Sequence, residues 1–292
     1  MSRGRATAIG FGAIALWSLL AALTVAVGPV PPFQLTAMCF ALGGTLGVIW
    51  IAASGTGFAA LRGLRPAVWI VGVGGLFGYH AAYFAALRWA PPAQASLVNY
   101  LWPLLIVLFS GLLPGERLRP GHLIGAGLAF AGAWLVVAGP DMGFASEHLP
   151  GLIAALACAV IWALYSVLSR RLGEAPTESV AIFCLATAAL SALAHLAFET
   201  TVWPQGALAW GAVAALGLGP VGAAFYLWDI GCKRGDIQLL GVGAYAAPLV
   251  STLFLILMGA ARPSLALGLA SGLIATGALI AARSSPRRAA GA

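Results

Sequence analysis

Charge is scarce in this chain. Only 8% of its residues are Asp, Glu, Lys or Arg, 61% are hydrophobic, and the mean hydropathy is +0.98. A soluble domain of this length carries roughly three times that charge, so a large soluble core is excluded. Cysteine is scarce too. Cys39, Cys158, Cys184 and Cys232 fall within or at the ends of apolar segments, and no CxxC occurs. They read as small packing residues with no disulfide or metal framework. Paired carboxylates, a His-rich cluster and HExxH are all missing, which removes the convergent acids, bases and metal ligands that a membrane-embedded enzyme needs. No cofactor or metal is expected. No lysine sits mid-segment, so a retinal Schiff base is excluded as well. The short alternating strands of an outer-membrane barrel are also absent.

What the chain has instead is apolar stretches of about 20 residues, the length of a membrane-spanning helix. About ten can be drawn, over 6–27, 33–53, 67–87, 94–113, 121–138, 150–170, 178–198, 206–230, 236–259 and 264–282. The fold class is therefore all-α and polytopic, and the bilayer is its first partner. The connections carry turn chemistry, as at Gly28-Pro29, Pro91-Pro92, Pro114-Gly115 and Gly139-Pro140. The tail 286–292 is basic and is expected to be disordered.

A net charge of +7 could signal nucleic acid, but the placement of the charges argues against it. With the N-terminus inside, Arg3, Arg5, Arg62, Arg65, Arg117, Arg119, Arg170, Arg171, Lys233, Arg234, Arg283, Arg287 and Arg288 fall on the cytoplasmic side, and only Arg88 and Arg262 fall outside. This bias puts both termini in the cytoplasm and assigns the basic residues to orientation. Arg3 and Arg5 before an apolar run imitate a signal peptide. No A-x-A site closes the run, so it reads as a retained first span.

The chain also repeats itself at a spacing of about 145 residues. Trp17 returns as Trp162, Cys39 as Cys184, Gly72 as Gly217, Gly74 as Gly219, Tyr100 and Pro103 as Tyr245 and Pro248, Phe109 as Phe254, Arg117 as Arg262, and Gly127 and Gly132 as Gly272 and Gly277. One offset serves throughout. The expected halves are 1–140 and 146–285, each of five spans. An odd number of spans makes the second half enter the membrane from the opposite side, so the halves form an inverted repeat about an axis in the membrane plane. Such a pair reaches inward-open and outward-open states by exchanging conformations. One chain carries both halves and can work as a monomer.

Ionisable residues deep in a membrane are costly, so the few present are functional candidates. Asp229 and Lys233 are spaced as an i,i+4 pair at a helix end and read as structural; His195, near an interface, reads as an anchor. His80 differs. Tyr79 and Tyr83 share a helical face that His80 borders, and three polar-tipped rings on one span should face a wet cavity or a substrate. The alternative is a histidine bonded to a backbone carbonyl. The next span adds Asn99, Tyr100, Trp102 and Pro103. Pro103 and its counterpart Pro248 are expected as hinges beside a central site, with a simple packing kink as the alternative. Tyr245 and Trp162 complete the expected binding set. Trp17 and Tyr165 are expected in the cavity wall, with core packing as the alternative. The glycine faces Gly72, Gly74, Gly75, Gly78 and Gly125, Gly132 read as close helix contacts, not nucleotide fingerprints.

The ten spans in two inverted repeats, with the turn Gly115-Glu116-Arg117-Leu118, resemble the drug/metabolite transporter superfamily in its EamA-type branch, over essentially the whole chain. The segment Tyr79-His80-x-x-Tyr83 with Asn99-Tyr100-Leu101-Trp102-Pro103 is similar to the YddG-type exporters of aromatic amino acids. That resemblance implies a bacterial inner-membrane protein that moves amino acids out of the cell. The second half departs from the pattern, because Ala261 stands where Glu116 would repeat.

Absences narrow the substrate. Sugar phosphates would favour Arg or Lys in the cavity, but every basic residue lies at an end, loop or tail. Proton-exchanging exporters of lipophilic cations often need an embedded carboxylate, but no glutamate lies inside a span. An aromatic, weakly polar cavity with one histidine suits a neutral or zwitterionic solute with an apolar body, such as an aromatic or large apolar amino acid. Organic cations or drugs stay open, since aromatic cages hold them. A channel is the reading from a different class; it should show a filter or charged ring.

Overall fold

A computed structural model describes residues 1–54, 58–137, 146–172, 175–257 and 264–284. The loop around Asp141, the turn at Ala261 and Arg262, and the tail 286–292 lie outside the described residues. Fourteen α-helices and no strand occur among the described residues. A chain this apolar must satisfy its backbone internally, since hydrocarbon offers no hydrogen bonds.

The helices are α1 (Arg3–Trp17), α2 (Leu20–Val27), α3 (Pro32–Ser54), α4 (Pro66–Trp89), α5 (Pro92–Asn99), α6 (Trp102–Ser110), α7 (Pro120–Val137), α8 (Leu149–Arg171), α9 (Ser179–Phe198), α10 (Gly206–Leu218), α11 (Ala224–Arg234), α12 (Ile237–Gly243), α13 (Ala246–Leu257) and α14 (Leu265–Ser284). Proline opens many of them, at Pro32, Pro66, Pro92, Pro103, Pro120 and Pro150, where its missing N–H costs nothing. Among the described residues, seven segments are long and apolar enough to cross a membrane. They include the joined pair α1–α2 and the run from α10 to α11, with a π-turn at Gly219–Ala223 between the latter two. Shorter apolar helices cover Gln94–Ser110 and Ile237–Ser251.

The most extensive pairings are α7 with α14, α4 with α8, α3 with α9, and α1 with α11. The 145-residue offset maps α3 onto α9 and α7 onto α14, and it exchanges the α1–α11 pair with α8–α4. Glycine sets the closest approaches. A Cβ on Gly125 would lie 2.5 Å from the Gly277 carbonyl, so α7 and α14 meet backbone to backbone. Gly72 and Gly75 of α4 seat the rings of Phe183 and Tyr165, which fixes α4 against α9 and α8.

The two histidine and aspartate side readings are met by their geometry. Asp229 pairs with Lys233 at 2.8 Å, and Lys233 Nζ also donates to the Ala175 carbonyl at 2.8 Å, tying α11 to the start of α9. His195 Nδ1–H donates to Glu199 at 2.9 Å and its Nε2 accepts from Thr201. Glu199 in turn accepts the Phe33 and Gln34 amides at 2.9 and 3.1 Å, so it caps α3 from across the bundle. Glu199→Ala should leave two helix amides unpaired and lower stability by about 1–2 kcal/mol, read as a drop in unfolding temperature in detergent.

Candidate functional site

The site grows from aromatic rings on six helices. Trp162, in the middle of α8, is its hub. Trp17 of α1 meets it edge-on at 5.6 Å, Tyr79 of α4 at 5.2 Å, Trp102 of α6 at 6.3 Å and Phe225 of α11 at 5.8 Å. Trp228, one turn from Phe225, stacks against Trp162 and lies 5.0 Å from Trp17. Tyr165 supports Trp162 from the next turn of α8 at 5.1 Å. Edge-to-face and offset pairs of this kind lock ring orientation as well as burying area.

Polar tips edge the cluster. Tyr79 and Tyr83 stack one turn apart, 6.2 Å between centroids and 8° between planes. Asn99 Nδ2 donates to the Tyr79 hydroxyl at 3.1 Å, and the Tyr83 hydroxyl shares a 3.3 Å bond with Ser96. The buried Asn99 Oδ1 has no partner among the described residues. His80 Nδ1–H donates to the Leu76 carbonyl at 2.7 Å, which fixes its tautomer and leaves Nε2 as the acceptor in the neutral ring. Its ring packs edge-on to Phe40 at 5.1 Å. This is the backbone-bonded arrangement given above as the alternative to a lining role.

Helix breaks hold the cluster in place. α5 ends at Asn99 and α6 begins at Trp102, with Tyr100 in the turn and Pro103 in the first turn of α6. The counterpart break separates α12 from α13, just before Pro248. Proline thus begins the second half of each span. The π-turn between α10 and α11 frees a carbonyl, and the Trp17 indole N–H donates to it at Pro220, 3.0 Å away.

Eight of the expected site residues are brought together or lie at its edge: Trp17, Tyr79, His80, Tyr83, Asn99, Trp102, Trp162 and Tyr165. Tyr245 is placed elsewhere. It is fully buried against Phe130 of α7, and its hydroxyl accepts the Leu104 amide at 3.2 Å. That amide is one of the donors left free where α6 starts. Tyr245 therefore braces the helix break from behind and does not join the ring cluster.

Phe40, Phe225 and Trp228 belong to the cluster, yet composition and span hydropathy did not single them out. The repeat offset marks two of them, because 145 residues after His80 and Tyr83 stand Phe225 and Trp228. Trp228 is satisfied by donating to Ser166 Oγ at 3.0 Å. No group of three or more metal-ligating side chains occurs among the described residues. The rings pack on one another as an uncharged cluster with hydrogen-bonding groups on one edge.

Burial is uneven between the halves. Every residue from Phe77 to Ala85 on α4 is half-buried, including Tyr79, His80 and Tyr83. Their counterparts from Gly222 to Ile230 are buried at all but Ala223, Leu227 and Ile230. The cluster is packed more tightly toward the end of α11 than toward the end of α4.

Comparison with known proteins matches this geometry to a family. The model of the EamA-like transporter family matches the chain twice, over residues 5–138 and 149–283. The aromatic amino acid exporter YddG of Ancylobacter novellus is 59% identical over 283 residues, covering 96% of this chain and 98% of that protein. The aromatic amino acid exporter YddG of Salmonella typhimurium is 26% identical and is covered along its whole length. A solved crystal structure 58% identical in sequence superposes with a TM-score of 0.93, covering 98% of this chain and 100% of that one.

Proposed function

Because the chain belongs to the EamA-like transporter family, we propose that it is a secondary exporter of aromatic and large apolar amino acids. It works by alternating access in the bacterial inner membrane. The observation that carries this reading is the neutral ring cluster around Trp162, edged by Tyr79, His80, Tyr83 and Asn99. Rings hold the side chain of such a substrate. The amide, imidazole and hydroxyl groups, with carbonyls freed at the helix breaks, take its ammonium and carboxylate.

The remaining organisation follows from the same reading. Ten spans form two inverted five-helix repeats, 1–140 and 146–285, related by a two-fold axis in the membrane plane. Pro103 and Pro248 act as paired hinges where the fourth and ninth spans break. Both termini are cytoplasmic, and one chain is the functional unit. A cysteine introduced at position 62 should react with an impermeant maleimide only from the cytoplasmic side. Labelling from outside would reverse the orientation.

Proteoliposomes test the function. Labelled phenylalanine should exchange against unlabelled substrate on the opposite side, faster than net flux. A channel gives no such trans-stimulation. Organic cations are the second reading, since the same rings can cage them; inhibition of phenylalanine exchange by quaternary ammonium ions would support it. If an imposed pH gradient drives uptake in wild type and His80→Ala abolishes only that response, His80 carries the coupled proton. A wild type indifferent to the gradient is a facilitator, and His80 then only binds or packs.

A further inference from the structure

The packed end of the bundle is also its basic end, and a buried ionic network ties it together. Gly115, with φ of 79°, turns the chain after α6 and presents Glu116 to two arginines from opposite halves. The Glu116 carboxylate contacts Arg3 of α1 at 3.3 Å and pairs with Arg170 of α8. Arg3 also lies 3.4 Å from Asp236, which caps α12 by accepting the Leu239 amide at 3.0 Å. Arg170 donates further to the carbonyls of Cys232 and Gly235, at 3.1 and 2.8 Å. The side chains of Glu116 and Asp236 are only 5% and 9% exposed. Pairs shielded in this way resist screening, unlike surface salt bridges.

The network has no twin. At the 145-residue offset the counterparts of Arg3, Glu116, Arg170 and Asp236 are His148, Ala261, Val25 and Pro91. None of these carries a carboxylate or a guanidinium. Two halves that merely exchange conformations would leave the two end states close in energy. Here the end that holds the network has carboxylates and guanidinia at these positions, and the equivalent positions of the mirror end cannot build the same network.

We propose that Glu116, Arg3, Arg170 and Asp236 form a one-sided latch that makes the empty carrier rest closed at the cytoplasmic end and open outside. The inference rests on the alternating-access reading. Its consequence is kinetic. Substrate loading from the cytoplasm meets only the small unlatched fraction of carriers, so the apparent affinity on that side is reduced by that fraction. Substrate outside meets a site that is already open.

The test uses full-length protein in liposomes, with spin labels at Arg117→Cys and Arg171→Cys. Both positions are exposed beside the latch, and the native cysteines are all buried. Pulsed electron resonance should give one short distance for the empty wild type. Glu116→Gln should raise the long-distance population by about tenfold, as expected when one member of a buried ionic network is removed. Arg3→Gln, a milder change at a more exposed member, should shift it in the same direction. The cytoplasmic-side KM of Glu116→Gln should fall relative to wild type. Distances in both variants identical to wild type, in protein whose long-distance state still appears with saturating substrate, would overturn the latch alone. A long distance that never appears, with or without substrate, would overturn alternating access and the latch with it.

Discussion

Trp102→Ala and Tyr83→Ala are each expected to reduce transport of phenylalanine or tryptophan five- to hundredfold in apparent affinity while leaving expression intact. The magnitude follows from the loss of one ring packed on an aromatic substrate, roughly 1–3 kcal/mol. The two changes should differ in character. Trp102 is 8% exposed and packs against Trp17, Trp162 and Trp228, so its removal also loosens the rings that shape the site. Tyr83 is half-buried toward the end of α4, stacks on Tyr79, and shares a bond with Ser96. Its loss should fall mainly on affinity, with maximal rate nearly kept. Uptake measured against substrate concentration in proteoliposomes separates the two. Wild-type kinetics in both variants, at normal expression, would place the substrate elsewhere in the molecule.

A larger effect on stability is expected where α7 meets α14. Gly125→Val puts a branched side chain where even a Cβ would come within 2.5 Å of the Gly277 carbonyl and 3.1 Å of Ala281. These are backbone and short side-chain atoms, with no flexible end to swing aside. The helices must separate, at a cost of about 3 kcal/mol or more, which for a chain of this size is on the order of 10 °C in unfolding temperature. Gly127→Val on the same helix is the control, since nothing lies within 4 Å of a Cβ there and the residue is exposed. Fluorescence-detected gel filtration after a heating series reads both. Equal stability of the two variants would mean that the α7–α14 contact contributes little.

Much of this protein was legible in its residues alone. Scarce charge and apolar stretches of helical length require a membrane helix bundle, because hydrocarbon tolerates no other fold of an open chain. The offset that pairs Trp17 with Trp162 and Tyr100 with Tyr245 reflects a duplication, and duplication constrains which spans are equivalent. The polar rings Tyr79, His80 and Tyr83 stood out because their cost in lipid must be offset by a wet or occupied neighbour. The same offset could have located Phe225 and Trp228 as partners of His80 and Tyr83, since equivalent positions in an inverted repeat converge on one centre.

Tertiary structure alone decided the rest. Tyr245 matches Tyr100 in sequence, yet it faces α7 and braces a broken helix. A repeat preserves depth in the membrane, but the conformation a molecule occupies breaks the equivalence of its halves. For the same reason the counterparts of the half-buried face of α4 are packed away on α11. The meeting of Glu116 with Arg3 and Arg170, and of Arg3 with Asp236, joins positions more than fifty residues apart. Spacing along the chain carries no information about such a contact. It exists because helix ends from both halves converge at one face of the bundle, where burial strengthens the attraction between charges that would be screened in water.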